Sequence, residues 1–336
     1  MSQALKFGLW YSFRNPGEWQ TDYPSLYRQH LDQISWAETI GYDDVWLTEH
    51  HFCDDGHAPS ILPLAAAVAA TTKRIRIGTG VLLLPLYNAV RVAEDCATID
   101  ILSNGRFELG VGVGYRPQEF EGLGVSTRER AGRIDEGLEI IRRLWDGESL
   151  SYDGRYYQFR DLKLSPLPVQ RPRPPLWVGG FAPAAARRAA RLGDGYIGTG
   201  DMAEQARMYR EECERLGIDT PRLAGGHFWL ITSNEPTACF ARVAPHVLYQ
   251  IEVYNRWLGD AGQALFPKIS NAEQLRELGI LQVVSPAEAC DLIGSYTETT
   301  GIERYYTWTV PPGFPVPEMN DNLALFAAEV MPHFRG

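Results

Sequence analysis

The sequence predicts an α/β fold, namely a single (β/α)8 TIM barrel that spans residues 1–336. Strand-like and helix-like segments alternate along the whole chain, an order that is typical of parallel strands joined by helices. Eight such pairs follow one another, which favours a closed barrel over an open sheet. The chain is longer than the roughly 250 residues of a plain barrel. We therefore expect insertions after the fourth helix, at about 147–174, and around 236–300.

Hydrophobic periodicity places four strands and four helices in the first half of the chain. The predicted strands are Lys6–Phe13, Asp44–Glu49, Arg74–Leu84 and Arg106–Gly114. The predicted helices are Ser25–Ile40, Ile61–Thr71, residues 90–102, and one whose apolar stripe contains Ile134, Leu138, Ile141 and Trp145. Gly41 follows the first helix, where a terminating glycine is common.

The insertion at about 147–174 interrupts this alternation and predicts a hairpin, because it is rich in aromatic residues, turn residues and proline. Further strands are expected at Leu176–Gly179, Gly195–Thr199, Arg222–Thr232 and Tyr305–Val310. Further helices are expected at Ala184–Leu192, Ala203–Leu216 and Asn320–Phe334. The insertion at 236–300 is predicted to be helical with one irregular patch.

Charge and cysteine content argue against several classes of protein. A net charge of −10 disfavours a nucleic-acid partner. The five cysteines are scattered without a CxxC pair, which indicates free thiols in a reducing compartment. The segment Met1–Trp10 lacks the pattern of a signal peptide, and no apolar run has the length of a membrane span. We expect a cytoplasmic protein with no membrane partner.

Residues with catalytic potential follow the second predicted strand, in Thr48-Glu49-His50-His51-Phe52. The functional residues of a barrel lie after its strands, and an imidazole there could hold an oxyanion or donate a proton, with Glu49 setting its tautomer. Only one of His50 and His51 should face the barrel mouth, since successive side chains alternate. The alternative is that both are hydrogen-bonded loop residues. A metal site would need His57 as a third ligand, and we expect none.

Two glycine-containing segments follow later strands. The glycines of Gly110–Tyr115 would let a ligand approach, or would simply face a crowded barrel centre. Tyr115 stands at the last glycine position of a GxGxxG motif, so the dinucleotide fingerprint is not matched. The segment Gly179–Pro183 leads into a helix, whose free N–H groups could bind a phosphate. A plain turn is the alternative there.

The motifs, taken in order, resemble those of the luciferase-like monooxygenase family. They are Glu49-His50-His51-Phe52, IGTGVLLLP (77–85), SNGRFELGVGVGY (103–115) and WVGGFAPAAARRAARLGDGY (177–196). The resemblance is strong from residue 5 to about 200 and weak over the last strand and helix. Residues 236–290 match no part of the family pattern.

The resemblance implies an FMN site at the strand ends. The flavin ring would lie over the end of strand three, where relatives often have a cis peptide bond and this chain has Gly80 and Val81. His50 corresponds to the catalytic histidine of the family, with Glu49 and His51 beside it. The other implied contacts are Gly112 and Tyr115 after strand four, and Gly179, Gly180, Phe181, Ala182 and Ala185 for the phosphate.

Two positions depart from the light-emitting members of the family. Gly112 replaces a reactive cysteine, so we expect no luminescence. Val113 replaces an arginine near the phosphate, which leaves that group to backbone amides. Arg187 and Arg188 are nearby, and we expect both to face solvent.

The implied reaction is a two-component monooxygenation. Reduced FMN from a separate flavin reductase would react with O2 to give a flavin C4a-peroxide, which would oxidise a medium-sized, partly apolar substrate. Members of the family are often homodimers, and we expect the same here. One alternative is an F420-dependent hydride-transfer enzyme on the same fold, whose branch often has Asp-His after strand two. A second alternative is a non-catalytic flavin-binding subunit.

Overall fold

The computed structural model describes residues 4–263, 266–269 and 271–335. Residues 1–3, which begin the segment searched for a signal peptide, lie outside the described residues. The same holds for residues 264, 265 and 270 of the second predicted insertion, and for residue 336.

The elements follow the predicted alternation. The first part contains β1 (Lys6–Tyr11), α1 (Tyr23–Thr39), β2 (Asp44–Leu47), α2 (Ile61–Thr71), β3 (Arg76–Thr79), α3 (Ala89–Ser103), β4 (Phe107–Val111), α4 (Pro117–Gly122), α5 (Arg130–Trp145), β5 (Ser149–Asp153) and β6 (Gln158–Lys163). The second part contains β7 (Leu176–Gly179), α6 (Pro183–Leu192), β8 (Gly195–Ile197), α7 (Ala203–Arg215), β9 (Leu223–Gly225), β10 (Trp229–Thr232), α8 (Pro236–Asp260), α9 (Ala272–Glu277), β11 (Leu281–Val284), α10 (Pro286–Thr300), β12 (Arg304–Trp308) and α11 (Asn320–Leu325).

In the described part of the chain, eight parallel strands close into a barrel in the order β1-β12-β9-β8-β7-β4-β3-β2. This closure confirms the predicted TIM barrel. β1 pairs with β12 on one side and with β2 on the other. Because all the strands run the same way, their carboxyl ends meet at one rim, and the loops there bring distant residues together.

The strand side chains alternate between the barrel interior and the layer beneath the helices. In β2, Trp46 packs inside the barrel, whereas Val45 and Leu47 pack in the outer core. The interior around Trp46 is filled by Trp10, Trp177, Ile197, Ala224 and Tyr306. These large side chains make the barrel a packed core that supports the rim.

The predicted strand Arg222–Thr232 is wrong as a single element, because it forms two strands. β9 belongs to the barrel, while β10 pairs in parallel with β11 outside it. Between them, a Cβ atom on Gly226 would overlap the backbone carbonyl oxygen of Tyr306. The backbone therefore approaches β12 closely at a point where only glycine fits, and the chain leaves the barrel ladder after it.

The two insertions are present, with one element that the sequence did not predict. β5 and β6 form the expected antiparallel hairpin. The second insertion is mainly helical, as expected, but it also contains β11. β11 has four residues and the unpredicted helix α4 has six. Elements this short show little hydrophobic periodicity, and for that reason the sequence did not predict either of them.

Several predicted strands extend beyond their hydrogen-bonded ladders. β3 ends at Thr79 and not at Leu84, and a cis peptide bond joins Gly80 to Val81, as the resemblance implied. The predicted last helix, Asn320–Phe334, begins as α11 and continues as a π turn and a 3-10 turn. The boundaries differ because they depend on pairing between strands that the local sequence does not encode.

The remaining global features are simple. None of the helices in the described ranges is both long and apolar enough to cross a membrane. All five cysteines are free thiols, as their scattered positions predicted.

Candidate active site

A cavity of about 460 Å³ opens at the carboxyl ends of the barrel strands. Every site residue named from the sequence lines it, with the exception of His51. The contributions of the first four strand ends are Glu49, His50, Gly80, Val81, Gly112 and Tyr115. The junction between β7 and α6 contributes Gly179, Gly180, Phe181, Ala182 and Ala185.

His50 faces this cavity and is held from behind by Glu119. Nδ1 of His50 lies 2.8 Å from Oε1 of Glu119. The same oxygen accepts the backbone N–H of His51 at 2.9 Å and a guanidinium N–H of Arg116 at 3.2 Å. A carboxylate at Nδ1 keeps the ring proton on that nitrogen. Nε2 is thereby left as a hydrogen-bond acceptor on the cavity side.

His51 turns away from the cavity and pairs with Glu49. Nε2 of His51 lies 2.8 Å from Oε1 of Glu49. Of the two adjacent histidines one lines the cavity and the other does not, as strand alternation predicted. The expectation that Glu49 would orient the cavity-facing histidine is wrong, since Glu49 binds His51 and Glu119 binds His50.

The two histidine–glutamate pairs differ in their charge state. Burial lowers the pKa of His50, and its hydrogen bond with Glu119 offsets only part of that effect. Burial would raise the pKa of Glu119, but the hydrogen bond with His50 holds it below its usual value. For His51, the hydrogen bond and charge of Glu49 outweigh burial and raise the pKa. Near neutral pH, His50 is thus a neutral imidazole, while His51 is closer to protonation.

A buried cluster of cations and aromatic rings packs against His50. The ring of Trp257, from α8, lies 4.9 Å from the ring of His50. The guanidinium carbons of Arg116 and Arg14 lie 4.0 and 5.1 Å from the same Trp257 ring centroid. Arg14 is fully buried and its Nε donates to Asp55 at 2.6 Å. Cation–π contacts let α8 cover two buried charges.

His57 lies in this buried region and not on an exposed loop. Its ring is 5.0 Å from that of His50, and its Nε2 is 3.3 Å from the Thr48 hydroxyl oxygen. Across the ranges that the structure describes, no three His, Cys, Asp or Glu side chains are arranged to hold a metal ion. The position of His57 is explained by packing against the site.

Aromatic side chains form one wall of the cavity. Trp10 and Trp308 face each other in the pairing of β1 with β12, and their rings stack at 5.2 Å. Trp229 adds a third ring 6.1 Å from Trp308, and Tyr254 of α8 lies 6.4 Å from it. Nε1 of Trp10 is buried and has no hydrogen-bond partner among the described residues. The wall therefore offers flat apolar faces and one unpaired donor.

Backbone without side chains forms much of the facing wall. A Cβ atom on Gly112 would lie 2.6 Å from Cγ2 of Val81, and one on Gly179 would lie 3.0 Å from its Cγ1. The side chain of Val81 occupies the space that these glycines leave. α6 begins beside this wall, and Ala182 makes no side-chain cap. Pro183 has no N–H and the N–H of Ala185 already donates to the Ala182 carbonyl oxygen at 2.8 Å, so the N–H of Ala184 is the donor at this helix start that an anionic ligand could use.

Arg188 lines the α6 end of the cavity, so the expectation that it faces solvent is wrong. Its side chain is buried and its Nε donates to Oδ1 of Asp135 at 2.5 Å. Arg187 is exposed, as expected. Adjacent helical residues point about 100° apart, and the contact with α5 decides which of the two arginines is covered.

Sequence reasoning missed four residues of the site, namely Arg14, Arg116, Glu119 and Trp257. Three of them carried a weak signal, because they are charged and follow β1 or β4, where barrel sites lie. Glu119 also stands near the proline that starts α4. Trp257 carried no signal, since only tertiary packing places α8 over the cavity.

The chain matches a family model and several known proteins. Residues 5–268 match the family described as luciferase-like monooxygenase. The oxygenase component of the flavin-dependent trigonelline monooxygenase of Acinetobacter baylyi is 24% identical over 98% of this chain and 96% of that protein. The F420-dependent glucose-6-phosphate dehydrogenase of Amycolatopsis mediterranei is 38% identical over 48% of this chain and 50% of that protein.

The extent of these matches varies. The chain spans about half the length of several curated relatives that it matches. Among solved structures, the oxygenating constituent of 3,6-diketocamphane monooxygenase from Pseudomonas putida, a type II Baeyer–Villiger monooxygenase in complex with FMN, has a TM-score of 0.81. The two chains are 20% identical, and the match covers 98% of each. At this identity the similarity shows a shared fold.

Proposed function

The chain belongs to the luciferase-like monooxygenase family and is an oxidoreductase, and on that premise we propose that it is the FMN-dependent oxygenase of a two-component system. Bound reduced FMN would supply the electrons with which one atom of O2 enters the substrate and the other becomes water. The observation that carries this proposal is the position of His50, which faces an aromatic-lined cavity and is held at Nδ1 by the buried Glu119.

The residues present fit a flavin. The glycine wall beside Val81 leaves space for a flat ring, and Nε1 of Trp10 offers it an unpaired buried donor. The start of α6 and the side chain of Arg188 suit an anionic phosphate. We assign the ring to Gly80, Val81, Gly112 and Tyr115, and the phosphate to Gly179, Gly180, Phe181, Ala182 and Ala185.

His50 is the proposed catalytic residue. Glu119 keeps a proton on Nδ1, so Nε2 can accept a proton from the reacting atoms and return it. The lowered pKa of His50 keeps this nitrogen free at neutral pH. A complete pair of this kind argues against the alternative of a non-catalytic flavin-binding subunit.

The aromatic wall supports a medium-sized, partly apolar substrate. Trp308, Trp229 and Tyr254 line the cavity with apolar ring atoms, which would keep water from the reacting atoms. The lining arginines, Arg130 and Arg188, come from the helices α5 and α6 and not from this wall.

FMN is favoured over F420 by the small number of cations. F420 carries a polyanionic tail in addition to its phosphate, whereas FMN carries one phosphate. Within the described lining, the arginines are Arg130 and Arg188. The Glu49-His50-His51 motif also resembles the FMN branch more than the Asp-His branch.

A binding and labelling experiment tests the function. Purified protein is titrated with FMN, reduced FMN and F420, and binding is followed by fluorescence. It is then supplied with a flavin reductase, NADH, FMN and ¹⁸O2 together with uncharged ketones and aldehydes of graded size. We expect binding of reduced FMN and one ¹⁸O atom in the product. Tight binding of F420, with no ¹⁸O incorporated from any substrate, would contradict the proposal and favour hydride transfer.

Two further assignments accompany the proposed function. A separate flavin reductase is the proposed transient partner, in line with the name "oxygenase component" of the trigonelline enzyme. A homodimer remains a prediction, which light scattering of the purified protein would test.

A further inference from the structure

The proposed reaction consumes a proton, and the inference below rests on that function. The reduced flavin anion contributes two electrons and one hydrogen, and one proton from solvent completes the water that forms beside the oxygenated product. A substrate that fills the cavity displaces the water at its mouth. The protein therefore needs its own path for that proton.

The His50–Glu119 pair does not reach solvent on its outer side. Glu119 is fully buried and accepts from Arg116, and Trp257 packs against both Arg116 and the ring of His50. The exposed part of His50 belongs to the cavity that it lines. Once a substrate is bound, this pair can hold or shift a proton but cannot exchange it with bulk water.

The Glu49–His51 pair, by contrast, connects the cavity with the outside. Glu49 is among the residues that line the cavity, although its side chain is buried and its Oε2 has no hydrogen-bond partner in the described part of the chain. His51 is not among the lining residues, and 11% of its side chain is exposed. Nε2 of His51 binds Glu49 at 2.8 Å. Nδ1 of His51 makes no hydrogen bond to the described residues and is available to water. The neighbouring Phe52 side chain is 58% exposed, so this loop borders solvent.

We propose that His51 and Glu49 form a proton-transfer pair that supplies the flavin cavity from solvent. Water protonates His51 at Nδ1, and Nε2 passes its proton to the Glu49 carboxylate. The Glu49 carboxyl group then donates that proton to the oxygen atom that leaves as water. Each transfer moves one proton and restores the charge of the pair, while His51 keeps its proton on Nδ1. A turn of the imidazole ring, or exchange of its protons with water, returns a proton to Nε2 before the next cycle.

The groups around His51 support this direction of transfer. Glu49 and Glu119 both favour its protonated form, while Arg116 opposes it. Tyr87, on the loop after β3, lies 6.5 Å from the His51 ring, and its hydroxyl acts on the Glu49 carboxyl. Burial raises the pKa of Glu49, which makes its protonated form accessible during transfer.

NMR of the flavin-free protein provides the first test. ¹³C/¹⁵N-labelled histidine signals are titrated in the wild type and in Glu49→Gln. We expect His51 to titrate above its ordinary range in the wild type and to move down in Glu49→Gln, while His50 titrates below it in both. An unchanged His51 titration in Glu49→Gln would overturn the pairing. This arm needs neither flavin nor oxygen, so a failure of the proposed function would not affect it.

Turnover under substrate saturation provides the second test. We expect His51→Ala to lower kcat roughly tenfold, on the low side of general acid–base contributions, with KM and FMN affinity unchanged. Added imidazole should restore the rate. The matched control is His246→Asn, a buried histidine that hydrogen-bonds the Pro312 carbonyl away from the cavity, and it should keep wild-type kcat. If the wild type oxygenated its substrate and His51→Ala did so at the same rate, the proposed proton route through His51 and Glu49 would be wrong. The proposed function would then still stand.

Discussion

Nδ1 of His50 donates to Oε1 of Glu119 at 2.8 Å, although the two residues are 69 positions apart in the chain. His50 comes from the loop after β2, and Glu119 from α4, which follows β4. The contact defines which ring nitrogen carries the proton and which faces the cavity. The chemistry of the site therefore depends on a residue that touches neither the cavity nor its ligands.

We expect Glu119→Gln to lower kcat at least tenfold, because an amide cannot hold the His50 tautomer as a carboxylate does. Folding stability should fall by about 1–3 kcal/mol, since the buried N–H of Arg116 loses a charged acceptor. FMN affinity should be unchanged. Steady-state kinetics and urea denaturation measure both effects. Glu121→Gln, on the exposed face of the same helix, is the control, and equal losses in both variants would refute the role of Glu119.

Gly112→Ala should weaken FMN binding. Its Cβ atom would lie 2.6 Å from Cγ2 of Val81 and push that side chain into the proposed ring site. Gly294→Ala is the control: no atom lies within 4 Å of a Cβ there, in the middle of α10. That substitution should stabilise the fold by roughly 0.5–1 kcal/mol with FMN affinity intact. Fluorescence titration and thermal unfolding compare the pair, and wild-type FMN affinity in Gly112→Ala would count against the ring assignment.

Trp257→Ala should destabilise the protein by about 3–5 kcal/mol, the usual cost of removing a buried tryptophan. It also exposes Arg14 and Arg116, which both contact the ring. The pKa of His50 should rise toward its ordinary value, because burial is the main cause of its lowering. Trp257→Phe should retain most of the stability. Guanidinium denaturation measures the stability, and NMR titration measures the pKa of His50. If Trp257→Phe lost as much stability as Trp257→Ala, the aromatic ring at 257 would not be what stabilises this region.

Stability should decrease as the pH falls through the range in which His30 remains neutral. Burial lowers the pKa of His30 from 6.5 to about 4. Between these values the unfolded chain binds a proton that the folded chain does not. The stability is therefore complete above pH 6.5 and is lost on acidification, by up to about 3 kcal/mol from this group. His30→Phe keeps an aromatic ring stacked on Phe13 and should make the free energy of unfolding depend less on pH. Urea denaturation at a series of pH values measures this dependence. If the variant lost stability with falling pH as steeply as the wild type, His30 would not be the cause of that loss.

Much of the site was predictable from the sequence because barrel chemistry lies at strand ends. Glu49, His50 and Gly179 all lie at the ends of predicted strands, and the structure places them around one cavity. The partners of those residues were not predictable. Glu119 lies on a six-residue helix with little periodicity, and Trp257 belongs to an insertion that no local pattern places over the barrel.

The amino-acid sequence alone determined the eight strand–helix units and the order of the motifs, because hydrophobic periodicity and glycine placement are local properties. The tertiary structure decided which histidine faces the cavity, which carboxylate holds it, which of two adjacent arginines is buried, and where the strand before Gly226 leaves the barrel. Each of these outcomes depends on contacts between segments that barrel closure brings together. Such contacts are set by packing and register, and they leave no periodic trace in the chain.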